Sequence, residues 1–371
     1  MSLVLTSCIK DEPLNAEADI ERVVFRVDNP GEFFFQATDT ARTVLSTDSL
    51  IVFQVRSHAD VSALAPVFTL TPGATVQPGS GEVQDFSSGP VTYTVTSQDG
   101  RWQRRYRIAV VPTTVTVSDT VSYDFEHYEL DPASKKFYIW HDVLADGTLG
   151  NNWASGNSGY RISRSSALPD EYPTVPLSPG YDGDGVQLTT CDTGPFGVMV
   201  NKRIAAGNLF LGVFDIGVAT REPLQATLFG IPFANRPVSF SGYYKYTRGA
   251  QYQDRSGKVI PNKVDSASIY AVLYRNHDNA GNEVMLHGDD VLTNPNIVAL
   301  ARVRGIEATT EWKPWNIRFT YYTDIDEELL HNMGYNLTIV FSSSYMGDLF
   351  EGAIGSQLCI DKVRLVCTRE E

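Results

Sequence analysis

No run in this 371-residue sequence approaches the roughly 18 apolar residues that a membrane-spanning helix needs. Cysteine is scarce: Cys8, Cys191, Cys359 and Cys367 include no Cys-x-x-Cys pair, which removes the usual zinc spacing and any obvious disulfide framework. Positive charge is in deficit, 30 Lys and Arg against 44 Asp and Glu, and the net charge of −14 argues against nucleic acid and anionic lipid surfaces as partners. The six histidines, His58, His127, His141, His277, His287 and His331, show neither His-x-x-x-His nor His-Glu-x-x-His spacing, which argues against a catalytic metal. A Gly-x-Ser-x-Gly elbow and a phosphate-cradling glycine loop are also missing. Long amphipathic helical patterns are absent too, and Ile325 to Met333 is left as one short candidate helix.

What is present is strand chemistry. Aromatic residues make up 11% of the chain, and 29 glycines and 19 prolines punctuate short apolar runs, which indicates an all-β class. The length predicts two domains. Over residues 20–113, Glu21 to Val27, Ser49 to Val55, Pro90 to Thr96 and Arg104 to Val111 read as strands, with Asp99-Gly100 turning a hairpin between the last two. Such a pattern predicts an immunoglobulin-like two-sheet sandwich. Residues 114–121 read as a linker, and 122–371 as a larger jelly roll with roughly ten strands.

The stretch Gly230 to Tyr246 organises the second domain. Pro232 and Pro237 forbid a helix, and from Val238 the period is two. Val238, Phe240, Gly242, Tyr244 and Tyr246 share an apolar face; Ser239, Ser241, Tyr243 and Lys245 share the other. An aromatic ring beside an ammonium and hydroxyls suits a sugar, whose C–H face stacks on the ring while its hydroxyls take hydrogen bonds. It equally describes a half-buried strand with Tyr243 and Lys245 in solvent. Trp153, Tyr243 and Tyr246 as rings, with Asn157, Arg236 and Lys245 as donors, form the candidate ligand set; Trp140 and Tyr160 are further rings, and Trp312 and Trp315 read as core or rim. Paired carboxylates for glycoside hydrolysis cannot be chosen from sequence: Asp182 and Asp184 sit in ordinary Asp-Gly turn chemistry, and Asp348 and Glu351 in a glycine-rich connection.

Four resemblances add to this. Leu5-Thr-Ser-Cys8 resembles the lipobox of bacterial lipoproteins, with Lys10-Asp-Glu12 like the export tags of Gram-negative surface lipoproteins. It implies a signal remnant and tether over 1–19, lipidation of Cys8, and anchoring at the outer membrane or cell surface without a spanning segment. Thr71 to Ser87 with Tyr93-Thr-Val95 resembles the immunoglobulin-like spacer of such lipoproteins, a stalk without chemistry. Asp124-Phe-Glu126 and Leu358-Cys-Ile-Asp-Lys-Val-Arg-Leu365 resemble the first and last strands of galactose-binding-like jelly rolls; this implies a structural calcium held by Glu126 and Asp361, with no other cofactor required. Finally, Asn152-Trp-Ala-Ser-Gly-Asn157, Gly185-Val-Gln-Leu-Thr-Thr190, Leu209-Phe-Leu-Gly-Val-Phe214, Gly230 to Pro237, Gly242-Tyr-Tyr-Lys-Tyr246 and Ser342 to Ser356 resemble the putative carbohydrate metabolism domain family over Tyr123 to Thr368. That resemblance implies carbohydrate binding in glycan capture, alongside other glycan-utilisation surface proteins. The alternatives are a glycoside hydrolase using a carboxylate pair in the same groove and a structural or adhesive surface protein.

Overall fold

Alternation writes the first strands: in Leu50–Arg56, Ile51, Phe53 and Val55 are buried while Leu50, Val52 and Gln54 face out, as a strand with one covered face requires. The computed structural model describes residues 13–113, 116–144 and 146–370. Cys8, the expected lipid carrier, lies outside these residues. The fold is all-β, in two compact units that divide between Val117 and Ser118.

The first unit holds β1 (Ile20–Phe25), β2 (Ala41–Thr43), β3 (Leu50–Arg56), β4 (Pro66–Leu70), β5 (Thr75–Gln77), β6 (Val91–Thr96) and β7 (Gln103–Thr113). They form the immunoglobulin-like sandwich, with sheets ordered β2-β1-β4 and β3-β7-β6-β5. Phe25, Phe53, Phe86, Tyr93 and Tyr106 fill it, and Phe25 meets Phe53 edge-on at 4.8 Å, the arrangement that ring quadrupoles favour. Pairing of β3 with β7 is parallel, a long-range feature that alternation within either strand does not reveal. Between β6 and β7, Gly100 supplies the positive φ of 71°, while the Asp99 carboxylate accepts from Ser97 Oγ and Arg101 N–H.

In the second unit we number the strands of the two large sheets only: β8 (Thr116–Tyr123), β9 (Trp153–Ala154), β10 (Thr174–Leu177), β11 (Gly185–Thr189), β12 (Asn208–Phe214), β13 (Arg236–Thr247), β14 (Ser268–Arg275), β15 (Ile297–Arg302), β16 (Thr309–Arg318), β17 (Thr320–Tyr321), β18 (Tyr335–Ser342) and β19 (Gln357–Glu370). One sheet runs β9-β12-β18-β14-β15-β17 and the other β10-β11-β19-β13-β16, with β8 against β19. The division between the units lies within the expected linker, 114–121, and Thr116–Tyr123 is strand that pairs with the last strand. Leu209, Ile269 and Ile339 of the first sheet pack on Phe240, Leu358 and Leu365 of the second in one core.

The two sheets differ in what covers their outer faces. Phe210, Tyr270, Val272, Tyr274, Leu286 and Val340 form a second apolar cluster, so the first sheet is buried on both sides and Ser268–Arg275 reads as nearly continuous buried residues. The outer face of the second sheet is covered at β10, where Val175 packs with Phe137, Tyr160 and Tyr172, but is partly open at β13, which alternates: Phe240, Gly242, Tyr244 and Tyr246 are buried, while Ser239, Ser241, Tyr243 and Lys245 are partly exposed. Val238 departs from the expected face and is 37% exposed, because the register against β19 shifts between Pro237 and Ser239.

Helix is confined to short pieces. Glu327–His331 lies inside the expected Ile325 to Met333, opened by Asp326, whose carboxylate accepts from the Leu329 N–H. The longer Asn157–Ser163 was not anticipated; seven residues of mixed polarity, Gly159 among them, carry too little periodicity to declare a helix.

Candidate functional site

The partly open face of the second sheet is where β13 presents side chains outward. Across it, Tyr243 sits opposite Asp361 of β19 and Pro314 of β16, and Lys245 opposite Cys359. Next along, Ser241 faces Arg364 and Asn316. Tyr181, from the turn before β11, lies flat on Tyr243 with ring centroids 3.7 Å apart and planes 12° from parallel. Trp312 stands edge-on to Tyr181 at 6.0 Å, and the Lys245 ammonium rests 4.9 Å from the Trp312 ring, within cation–π range. Among the described residues, no carboxylate lies within ion-pair reach of Lys245. Tyr181 is 45% exposed, with Tyr243 stacked on one face of its ring.

A polar knot holds the Tyr181 turn in place. Buried Asp361 accepts through Oδ2 from the N–H groups of Tyr181 (2.7 Å) and Asp182 (3.0 Å), and through Oδ1 from its neighbour Lys362 (2.6 Å). Glu126 accepts from the Asp184 N–H at 3.1 Å, and Tyr128 donates to the Asp184 carboxylate at 2.8 Å. Gly183 takes φ +80°, and a Cβ there would stand 2.1 Å from Glu126 Oε1, so a side chain at this point would be strained and would push the Glu126 carboxylate aside. The Lys362 ammonium sits 3.5 Å from Asp124, 3.6 Å from Glu126 and 3.3 Å from Asp182, and Arg364 adds a 2.7 Å contact to Asp124. Burial raises the Asp361 pKa and its backbone donors only partly offset this. Burial also opposes the Lys362 charge, yet the carboxylates around it win and hold its pKa above the usual lysine value.

Glu126 and Asp361 do not fit the expected metal: the Asp361 oxygens are taken by N–H donors, and an ammonium stands where a cation would have to sit. No group of three or more His, Cys, Asp or Glu among the described residues could hold a metal ion.

Of the predicted ligand residues, Tyr243 and Lys245 come together here. Arg236 lies seven residues away along the same strand, about 20 Å in extended chain, with its guanidinium over Tyr321 at 5.2 Å. Trp153, Asn157 and Tyr246 need correcting because each is buried. Trp153 packs among Tyr123, Phe125 and Phe341 in the core. Asn157 spends its amide on both backbone groups of Thr174, at 2.8 and 3.1 Å. Tyr246 turns its hydroxyl inward to the Ser343 carbonyl at 3.4 Å. Trp315 is core, as read from sequence. The sequence reading does not single out Tyr181, which precedes an Asp-Gly turn, and places Trp312 with Trp315 as core or rim; three residues apart on one strand, the two lie on opposite faces, and Trp315 is the buried one.

Two other places could hold chemistry. A cavity of about 230 Å³ lies beside Trp140, Trp153, Ser155, Ser158 and Phe214. Elsewhere, Glu351 accepts from Lys263 (3.2 Å) and Tyr252 (3.3 Å), while burial, with a smaller contribution from the Glu351 charge, raises the pKa of Asp348.

Comparison with known proteins agrees with the fold. Residues 124–366 match the family described as putative carbohydrate metabolism domain, and residues 32–110 match the family described as SGBP, N-terminal. A putative glycoside hydrolase from Bacteroides thetaiotaomicron is 38% identical over 96% of this chain and 99% of its own, with a TM-score of 0.62. A second, from Bacteroides vulgatus, is 36% identical over 67% of this chain and 98% of its own, with a TM-score of 0.61. No protein of curated function matches. The chain belongs to the putative carbohydrate metabolism domain family, carried on an amino-terminal domain of the kind found in a glycan-binding protein.

Proposed function

We propose that the open face of the second sheet binds carbohydrate without cleaving it. The observation that carries this reading is the exposed Tyr181 ring, backed by Tyr243 and flanked by Trp312 and by the Lys245 ammonium, which has no carboxylate partner among the described residues. A sugar laid on Tyr181 gives its C–H face to the ring and its hydroxyls to Lys245, Ser241 and Asn316. Hydrolysis on this face is disfavoured by its own carboxylates: Asp124, Glu126 and Asp182 are tied to Lys362, and Asp361 is spent on backbone N–H groups, so none is free as a general acid. In the cell, lipidation at Cys8 would hold the protein at the outer membrane or surface of a Gram-negative bacterium, where its first unit serves as a spacer and other glycan-utilisation surface proteins as partners.

One observation favours a second reading. Burial pushes up the Asp348 pKa, and Glu351, three residues on, accepts from Lys263 and Tyr252, so a carboxyl group suited to be an acid has a second carboxylate near it in the chain, as glycoside hydrolysis uses. A glycan array with product analysis on every hit separates the two. Binding with intact oligosaccharide is expected; shortened products that vanish in Asp348→Asn would transfer the function to that pair.

A further inference from the structure

We propose that the Lys362 side chain is this domain's built-in cation, doing with an ammonium what a bound divalent ion would do, and that it locks the Tyr181 turn to the sheet. This goes beyond the carbohydrate reading and does not rest on it.

Three observations carry the inference. Asp124 follows the end of β8, Glu126 belongs to the segment after it, and Asp182 lies in the Tyr181 turn, so Lys362 on the last strand joins segments far apart in sequence at 3.3 to 3.6 Å. Without a cation, three carboxylates converging on one point would repel each other. The backbone is bent for the purpose: Lys362 has φ +49°, a conformation that non-glycine residues adopt at a cost and keep where surrounding structure demands it. Finally, the turn is tied to the sheet largely by polar groups: Asp361, Glu126, Tyr128 and Lys362 hold its backbone and carboxylates, beside the stacking of Tyr181 on Tyr243.

Lys362→Gly provides the test together with Lys362→Met: glycine accepts φ +49° without strain and methionine keeps most of the stem, so a loss shared by both belongs to the ammonium. For the parent chain, millimolar calcium or a chelator should leave Tm unmoved. Lys362→Gly should melt about 5 °C lower, and chymotrypsin should cut it faster after Tyr181. Millimolar calcium, entering the vacated carboxylate cage, should reverse both changes, and a chelator should restore them. Should the variant fail to fold, refolding yield with and without calcium reads the same effect. A parent that responds to calcium or chelator overturns the inference, as does a variant that calcium cannot rescue.

Discussion

Asp265→Ala is expected to destabilise the second unit by about 3 kcal/mol or more. Asp265 is 1% exposed, and its Oδ2 accepts from Ser344 Oγ at 2.5 Å, Ser356 Oγ at 2.7 Å and Ala353 N–H at 2.8 Å. Ser344 is joined in turn to Thr190 at 2.6 Å, and Thr190 to Ser343 at 2.8 Å. Truncation would strand several buried donors at once, and each costs about 1–3 kcal/mol when left unpaired. Asp265→Asn keeps the shape and one acceptor, so it should lose less. Urea unfolding followed by tryptophan fluorescence reports mainly on this unit, since four of the five tryptophans, Trp140, Trp153, Trp312 and Trp315, lie in it. This knot also explains why the segment Ser342 to Ser356 is so rich in Ser and Gly: a Cβ on Gly352 would stand 2.4 Å from Ser344 Oγ.

Tyr181→Ala should lower affinity for the best array glycan about tenfold or more while changing stability by less than about 1 kcal/mol. The ring is half open to solvent, so its loss leaves no core cavity, yet it is the surface on which a sugar would lie. Tyr243→Ala should weaken binding too, through loss of the ring beneath Tyr181. Tyr244→Ala should behave in the opposite way: at 3% exposure it fills the core beside Trp315, and about 3 kcal/mol of stability should go with it. Calorimetric titration and thermal melts of the three variants check the set. If Tyr181→Ala binds like the parent, the platform lies elsewhere.

How much of this was legible in sequence depended on how far apart the partners stood. The orientation of Tyr243 and Lys245 followed from period two, because alternation is local to one strand. The same alternation placed Tyr246 on the apolar face, and choosing it as a ligand residue for its chemistry ignored its own parity. The burial of Trp153 and Asn157 depends on packing partners such as Phe341 and Thr174 that no local pattern identifies. Tyr181 escaped notice because its stacking partner belongs to another strand. The cation beside Glu126 and Asp361 was not legible either: Lys362 directly follows Asp361, but that its ammonium faces Asp124, Glu126 and Asp182 depends on how the last strand meets β8 and the Tyr181 turn.

The carbohydrate reading is tested most directly by a crystal structure of the full chain with the best oligosaccharide from the array. A sugar ring within about 4 Å of the outer face of Tyr181, with a hydroxyl or carboxylate in hydrogen-bond reach of Lys245, is the expected result. A sugar seated beside Asp348 and Glu351, or in the cavity by Trp140, with the Tyr181 face bare, would contradict it.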